Sequence, residues 1–343
     1  MLTSTVRAAR TGFPRLLPRA IAMRLAAIVL VAGVATPGPA QAQVQADFPR
    51  AGLRIIVPFA AGGAPDIVAR LLGQKAAESL GREVVVENRV GAGGNIGFEA
   101  GARAVPDGHT LLMCTFGCAT NPALFDRLGW APKDLAPVML AGRVPNVLVV
   151  HPGVKARSTA EFIALAKARP GTLTMASSGV GSASHLAGEQ FNAMAGIEVV
   201  HVPYKGSTAA LPDIAGGRVD FMIVSVPEAL AYLRDGRLLA LGTSSTRRAS
   251  SLPDVPTLAE SGLPGYAVTA WSMLVVPAAT PEPVIRRLNQ EFNAALADPA
   301  VRKRLDELSI EPGGGPPADA ARFLREQSAE WEPLIRARGI RAN

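Results

Sequence analysis

Short apolar stretches bounded by glycine and proline alternate with longer amphipathic stretches along most of the chain. Leu53-Arg-Ile-Ile-Val-Pro-Phe59 is apolar apart from one arginine and reads as a buried strand. Segments 84–87, 110–115, 147–150, 172–176, 199–202, 219–224 and 238–243 read the same way. Helical periodicity runs over 64–80, where Ile67, Val68, Leu71, Leu72 and Ala76 share one face. It returns over 96–104, 160–168 and 184–195. It is clearest over 283–297, where Val284, Ile285, Leu288, Phe292 and Leu296 form a stripe and Pro283 sits near the start. A further helix is expected from about Ala209. Strands alternating with helices predict an α/β protein with largely parallel sheets. No internal repeat and no low-complexity linker interrupts the pattern.

The N-terminus departs from this alternation. Residues 1–24 carry five arginines and no acid, an apolar run follows from Leu25 to Ala35, and Pro37-Gly-Pro39 precedes Ala40-Gln-Ala42. A basic region, an apolar core and an A-x-A site are the layout of a secretory signal peptide, here cut after about Ala42. The charges are segregated rather than interleaved, which argues against an amphipathic surface helix. The run is also shorter than the roughly 20 residues that a membrane span needs. The basic region is long for a signal, so Met23 is an alternative start. The net charge of +7 falls to +2 once the segment 1–42 is removed, so the basicity belongs largely to the signal. Three tyrosines and three tryptophans leave few rings to stack on bases, and no nucleic-acid partner is expected.

Removal of the signal leaves roughly 300 residues, more than one hydrophobic core usually serves, so two lobes are expected. Without a linker, the chain must cross between them more than once. Crossings near Pro145 and Tyr266 give a discontinuous first lobe, 47–145 plus 267–343, and a continuous second lobe, 146–266. Ligands of such sheets bind beyond the carboxyl ends of strands, beside helix N-termini, and a cleft between lobes is a favoured place. A monomer is expected. Export permits a disulfide, but Cys114 and Cys118 make no framework and read as two small buried apolar residues.

Three loops carry the candidate chemistry, and each joins a strand to a helix. In Pro58-Phe-Ala-Ala-Gly-Gly-Ala-Pro-Asp66, Phe59, Ala60, Ala61, Gly62 and Gly63 offer backbone amides at a helix N-terminus, where negative charge is favoured. Asp66 has two roles open to it: capping that helix, or facing a ligand's ammonium or hydroxyl. The second loop, 177–185, supplies Ser177, Ser178, Gly179, Ser182, Ser184 and His185, again amides with short hydroxyls. The third, Val202-Pro-Tyr-Lys-Gly-Ser-Thr208, brings Tyr204 towards the same region, with Lys205 read as solvated. No G-x-S-x-G elbow surrounds the serines, and His185 directly follows Ser184, a poor position for a base. His109, His151, His185 and His201 show no metal spacing. The run Gly91-Ala-Gly-Gly-Asn-Ile-Gly97 fails the dinucleotide spacing because Ile96 holds the third glycine position, and no P-loop lysine follows. No cofactor or metal is expected, and the loops describe anion capture without catalysis.

These segments resemble the Bug family, the TctC-like substrate-binding receptors of tripartite tricarboxylate transporters. The resemblance rests on Ile56-Val-Pro-Phe-Ala-Ala-Gly-Gly63 with Asp66, Val85-Val-Glu-Asn-Arg-Val-Gly-Ala-Gly-Gly-Asn-Ile-Gly97 and Pro106-Asp-Gly-His-Thr-Leu-Leu112. It continues through Ala176-Ser-Ser-Gly179, Ser184-His-Leu-Ala-Gly188, His201-Val-Pro-Tyr-Lys-Gly206, Leu252-Pro-Asp-Val-Pro-Thr257, Gly262-Leu-Pro-Gly-Tyr266 and Trp271. It implies a periplasmic, two-lobed Venus-flytrap fold of the type II binding-protein class. A ligand carboxylate would be held by the 58–66 and 177–185 loops, and a two-component membrane permease would be the partner. Pro65 stands where the family commonly has threonine, His109 where it has tyrosine, and Cys118 where a polar residue is frequent. Ser225 stands where aspartate or asparagine is frequent, just after a strand. If Cys118 and Ser225 line the pocket, the ligand is less polar than a tricarboxylate.

Two other functions compete with the transport receptor. One is a sensor that presents bound ligand to a membrane signalling partner, which uses the same closure. The other is a serine-dependent hydrolase using Ser177, Ser178 or Ser184, which turnover of esters would reveal.

Overall fold

The computed structural model describes residues 48–337 and 339–342. The signal-peptide reading and its cleavage site fall outside that range.

Strand β1 (Leu53–Val57) is almost wholly buried, because it lies between β2 (Val84–Asn88) and β3 (Thr110–Thr115) and both pairings are parallel. Helix α1 (Ala64–Leu80) crosses back over this sheet. It buries Val68, Ala69, Leu72, Gly73 and Ala76, while Ile67 and Leu71 lie half-buried at the margin of the expected stripe. Gly81 ends the helix at φ 61°, a left-handed cap that glycine adopts without a Cβ clash. Helix α2 (Asn95–Ala102) follows, and then α3 (Gly117–Leu124) after β3. Cys114, at the end of β3, and Cys118, in the first turn of α3, have Cα atoms 5.8 Å apart and form a disulfide. The expectation of two separate buried residues is corrected here. The turn from strand to helix folds the chain back within four residues and brings the two sulfurs together.

The next strand organises the molecule. β4 (Leu135–Val150) has 16 residues, whereas only its last four read as strand in the sequence. Pro137, Gly142 and Pro145 disguise the rest, and the register shifts beside Pro137 and Gly142 show why the strand tolerates two of them. From Leu135 to Pro145 it pairs with β9 (Thr269–Pro277), with β10 (Glu311–Gly314) alongside Gly142 and Arg143. From Asn146 to Val150 it pairs with β7 (Phe221–Ser225), and Val147–Val150 also meets β8 (Leu239–Thr243). β5 (Thr174–Ser177) and β6 (Val200–Pro203) complete the order β2-β1-β3-β9-β4-β7-β5-β6. Every pair involving β4 or β9 is antiparallel, so the sheet is mixed rather than largely parallel.

Helices α4 (Thr159–Ala168), α5 (Ala183–Ala195), α6 (Ser207–Ala215) and α7 (Val226–Arg234) belong to the β5–β8 portion. There Phe162, Phe191, Phe221 and Tyr266 form a buried aromatic cluster. Helices α8 (Glu282–Ala297), α9 (Pro299–Glu307) and α10 (Pro317–Ala337) return to the β1–β3 portion. There Val284, Leu288, Phe292 and Leu296 of α8 are buried, as their spacing predicts. α8 packs on α1, and α10 packs on α3 and β4.

Candidate ligand-binding cleft

A cleft of about 630 Å³, counted to its open mouth, lies where strand ends from both portions of the sheet meet. Four helix N-termini border it. Gly63 caps α1, Ser182 caps α5, Gly206 caps α6 and Ser225 caps α7, and each of these residues lines the cleft. Aligned peptide dipoles give these ends partial positive charge, and their first N–H groups have no partner within the helix. Three of these ends belong to the candidate loops read from the sequence, and the α7 end, capped by Ser225, adds a fourth.

Of the expected site residues, Phe59, Ala60, Gly63, Ser178, Ser182, Ser184 and Ser225 line the cleft. The serines of α5 form a hydroxyl cluster. Ser184 Oγ accepts from Ser178 N–H at 2.8 Å and lies 2.8 Å from Ser178 Oγ and 3.1 Å from Ser182 Oγ. Ser182, not Ser184, caps the helix, through His185 N–H. Gly179 takes φ 126° in this loop, and its carbonyl accepts from Ser182 Oγ.

The other expected residues lie off the cavity wall. Ala61 and Gly62 are exposed. Asp66 is buried and turned inward: its carboxylate accepts from Gly62 N–H at 2.9 Å, Asn88 Nδ2 at 2.9 Å and two nitrogens of Arg70 at 3.0 Å. Burial pushes this carboxyl up, but the Arg70, Gly62 and Asn88 hydrogen bonds outweigh it and hold Asp66 below the usual aspartate range. Asp66 therefore braces the β1–α1 loop from behind. Tyr204 donates to Asp213 Oδ2 at 2.8 Å and packs against the core. Cys118, whose character was to colour the pocket, is buried away from it.

Ser177 and His185 belong to a buried support behind the serine loop. Ser177 Oγ lies 2.7 Å from His201 Nε2, and the rings of His201 and His185 stack with centroids 4.1 Å apart. His185 Nδ1 accepts from Gly181 N–H at 3.1 Å, so the loop's backbone hangs on a neutral imidazole. Burial, with His201 alongside, pushes His185 down to about 3, and burial lowers His201 as well. Ser177 is fully buried, and this Ser–His pair is not part of the cleft wall.

Several cleft residues escaped sequence reasoning. Thr115 ends β3 and Phe116 follows it, Asn146 sits within β4, and Ser207 and Thr208, part of the third candidate loop but not singled out in it, open α6. Thr115 is buried, and its hydroxyl has no hydrogen-bond partner. Trp271 presents a ring to the cleft while its Nε1–H donates to Gln327 at 2.8 Å. The most consequential is Glu228 in the first turn of α7. Its carboxylate accepts from Ala64 N–H at 3.3 Å and is hydrogen-bonded by the Ser225 and Ser207 hydroxyls. Burial pushes the Glu228 carboxyl above the ordinary glutamate range, and those three hydrogen bonds offset part of the rise. Glu228 was not singled out from the sequence, because nothing local reveals that it meets a loop 164 residues away.

An α/β chain that shares one strand between two sheet portions, with helix N-termini around the cleft, defines a two-lobed periplasmic binding protein. The family model described as "Tripartite tricarboxylate transporter family receptor" matches residues 68–340, and the chain belongs to that family. A Pseudomonas protein encoded in the tcbD-tcbE intergenic region is 39% identical over 92% of this chain and 95% of its own length. BugT of Bordetella pertussis is 36% identical over 91% of this chain and 95% of its own. Among solved structures, Rpa4515 of R. palustris with adipate matches at a TM-score of 0.83 with 36% identity, covering 85% of this chain and 99% of that one. MatC from Rhodopseudomonas palustris with bound malate matches at 0.79 with 33% identity, covering 84% and 100%.

Proposed function

We propose that the mature protein is an extracytoplasmic receptor that captures a small carboxylate-bearing molecule and delivers it to a tripartite tricarboxylate-type membrane permease. Residues 47–145 plus 267–343 form one lobe and 146–266 the other, and they close on the ligand. The segment 1–42 directs export to the periplasm and is removed after about Ala42, and the receptor acts as a monomer. The observation that carries this reading is the set of four helix N-termini, with the Ser178, Ser182 and Ser184 hydroxyls, around a cleft that is lined, among the described residues, by no lysine, arginine or histidine. Such donors neutralise a carboxylate without a fixed cation and release it readily. Adipate and malate in related proteins support the same ligand class. No turnover is expected, since among the described residues the hydroxyls of Ser178, Ser182 and Ser184 bond to one another and to backbone groups and none to a histidine ring.

A thermal-shift screen of the protein from Gln43 against mono-, di- and tricarboxylates, amino acids and aromatic acids tests this reading. A ligand at about 100 times its Kd adds about 2.7 kcal/mol of stability, a clear rise in Tm. A rise confined to carboxylates, with the ligand recovered unchanged, is the expected result. A blank across all acids would sink the proposal.

A further inference from the structure

The cleft holds four anion-attracting helix ends and yet, among the described residues, its only ionisable wall residue is an acid. Glu228 reaches across from α7 to the Ala64 amide, the first N–H of α1, which is the donor a ligand carboxylate would otherwise take at that end. An ideal Cβ on Gly63 would lie 3.1 Å from Glu228 Oε1, so the carboxylate seats directly against the cap of α1. Of the four ends, α1 and α7 are thus already served by an acid of the protein itself. The hydroxyl cluster at α5 remains for the ligand's own carboxylate, with the unpartnered Thr115 hydroxyl on the same cavity wall. The nearby ionisable groups face elsewhere. Asp66 is held by Arg70 and Asn88, Asp213 by Tyr204 and Arg218, and Lys205 is exposed off the cleft.

We infer that Glu228 is a specificity-determining residue of the cleft, selecting ligands that carry one carboxylate and, at the far end, a cationic or hydrogen-bond-donating group over plain dicarboxylates. A second carboxylate would stand against Glu228 without a cation between them, and like charges facing each other in a closed site discriminate strongly. An ammonium there takes the free lone pairs of the Glu228 carboxylate in a charge-assisted hydrogen bond. The inference rests on the carboxylate-receptor reading above.

The test uses matched probes of equal chain length: 4-aminobutyrate with succinate, 5-aminopentanoate with glutarate, and 6-aminohexanoate with adipate. Titration calorimetry near pH 8 gives a Kd ratio for each pair, for the wild type and for Glu228→Gln, which keeps the shape and an acceptor for Ala64 N–H. The amino acid is expected to bind at least about tenfold tighter than its diacid in the best-fitting pair, and Glu228→Gln is expected to erase or invert that ratio. The wild type provides a check that needs no variant. Lowering the pH neutralises a carboxyl that burial has already pushed up, so the preference must shrink towards acid. A ratio unchanged by Glu228→Gln and by pH would overturn the role of Glu228 and leave the receptor reading standing. Failure of every carboxylate to bind either protein would overturn both.

Discussion

His185 and His201 illustrate what burial costs a titratable pair. Stacked and largely shielded from water, both are pushed towards the neutral form in the folded protein, and His185 keeps it down to about 3. The unfolded chain protonates them near the ordinary histidine value of about 6.5. Below that pH the unfolded state binds more protons than the folded one, so stability falls with falling pH. The slope is up to about 1.4 kcal/mol per unit for each residue. Urea denaturation at steps from about pH 7 to pH 4.5 is expected to show this loss, and His185→Gln should flatten the curve over that window. An identical slope in the variant would assign the acid sensitivity to other groups. At this scale the sequence was a partial guide. Ser178, Ser182 and Ser184 were found because they fill a small-residue loop between a strand and a helix, and Ser225 through the family resemblance. Asp66 had two roles open to it, and only its four hydrogen bonds to Gly62, Asn88 and Arg70 decide for bracing the loop. Glu228 was invisible because its partner, Ala64, is distant in the chain.

Among the elements, the most legible were those whose burial is one-sided and continuous. The α8 stripe of Val284, Leu288, Phe292 and Leu296 repeats at helical spacing, and β3 reads directly as an apolar run. β4 failed this test because prolines and a glycine punctuate it where bulges and a change of partner occur. β9 and α10 passed unread for a different reason: their partners are supplied by chain far upstream. Close packing also places the first loop. An added Cβ at Gly97 on α2 would come within 2.7 Å of the Pro58 Cα, backbone that cannot swing aside. Gly97→Ala should therefore cost about 1–3 kcal/mol and push the Phe59–Gly63 loop, weakening ligand binding together with stability. Denaturant melts and calorimetry on the same sample read both. A stable variant with full affinity would show that the loop's position is not set by this contact.

Over the whole molecule, the two chain crossings lie against each other. β4 passes from β9 to β7 at Pro145–Asn146, and the chain returns through Val268 into β9, where Thr269 faces Pro145. Ser244 joins them: its Oγ accepts from Asn146 N–H at 2.9 Å and donates to the Val268 carbonyl, which also receives Asn146 Nδ2 at 3.2 Å. Ser244 is fully buried, so Ser244→Ala leaves the Asn146 amide orphaned, at an expected cost of about 1–3 kcal/mol by denaturant unfolding. A cost near zero would mean that the crossings are held by their ladders alone.

Two ribbons bound side by side make something closer to a door than to a ball joint. Twisting and sliding would have to tear the Asn146–Ser244–Val268 knot, whereas folding about the line through both crossings leaves it intact. On the two-lobe closure proposed above, movement of the halves would have in effect one degree of freedom, carrying Glu228 towards or away from the α1 cap, where it now accepts from Ala64 N–H, along a single arc. On the receptor reading proposed above, a membrane partner gauging the gap between the outer rims of the halves reads from that one distance whether the cleft is filled, without touching what fills it.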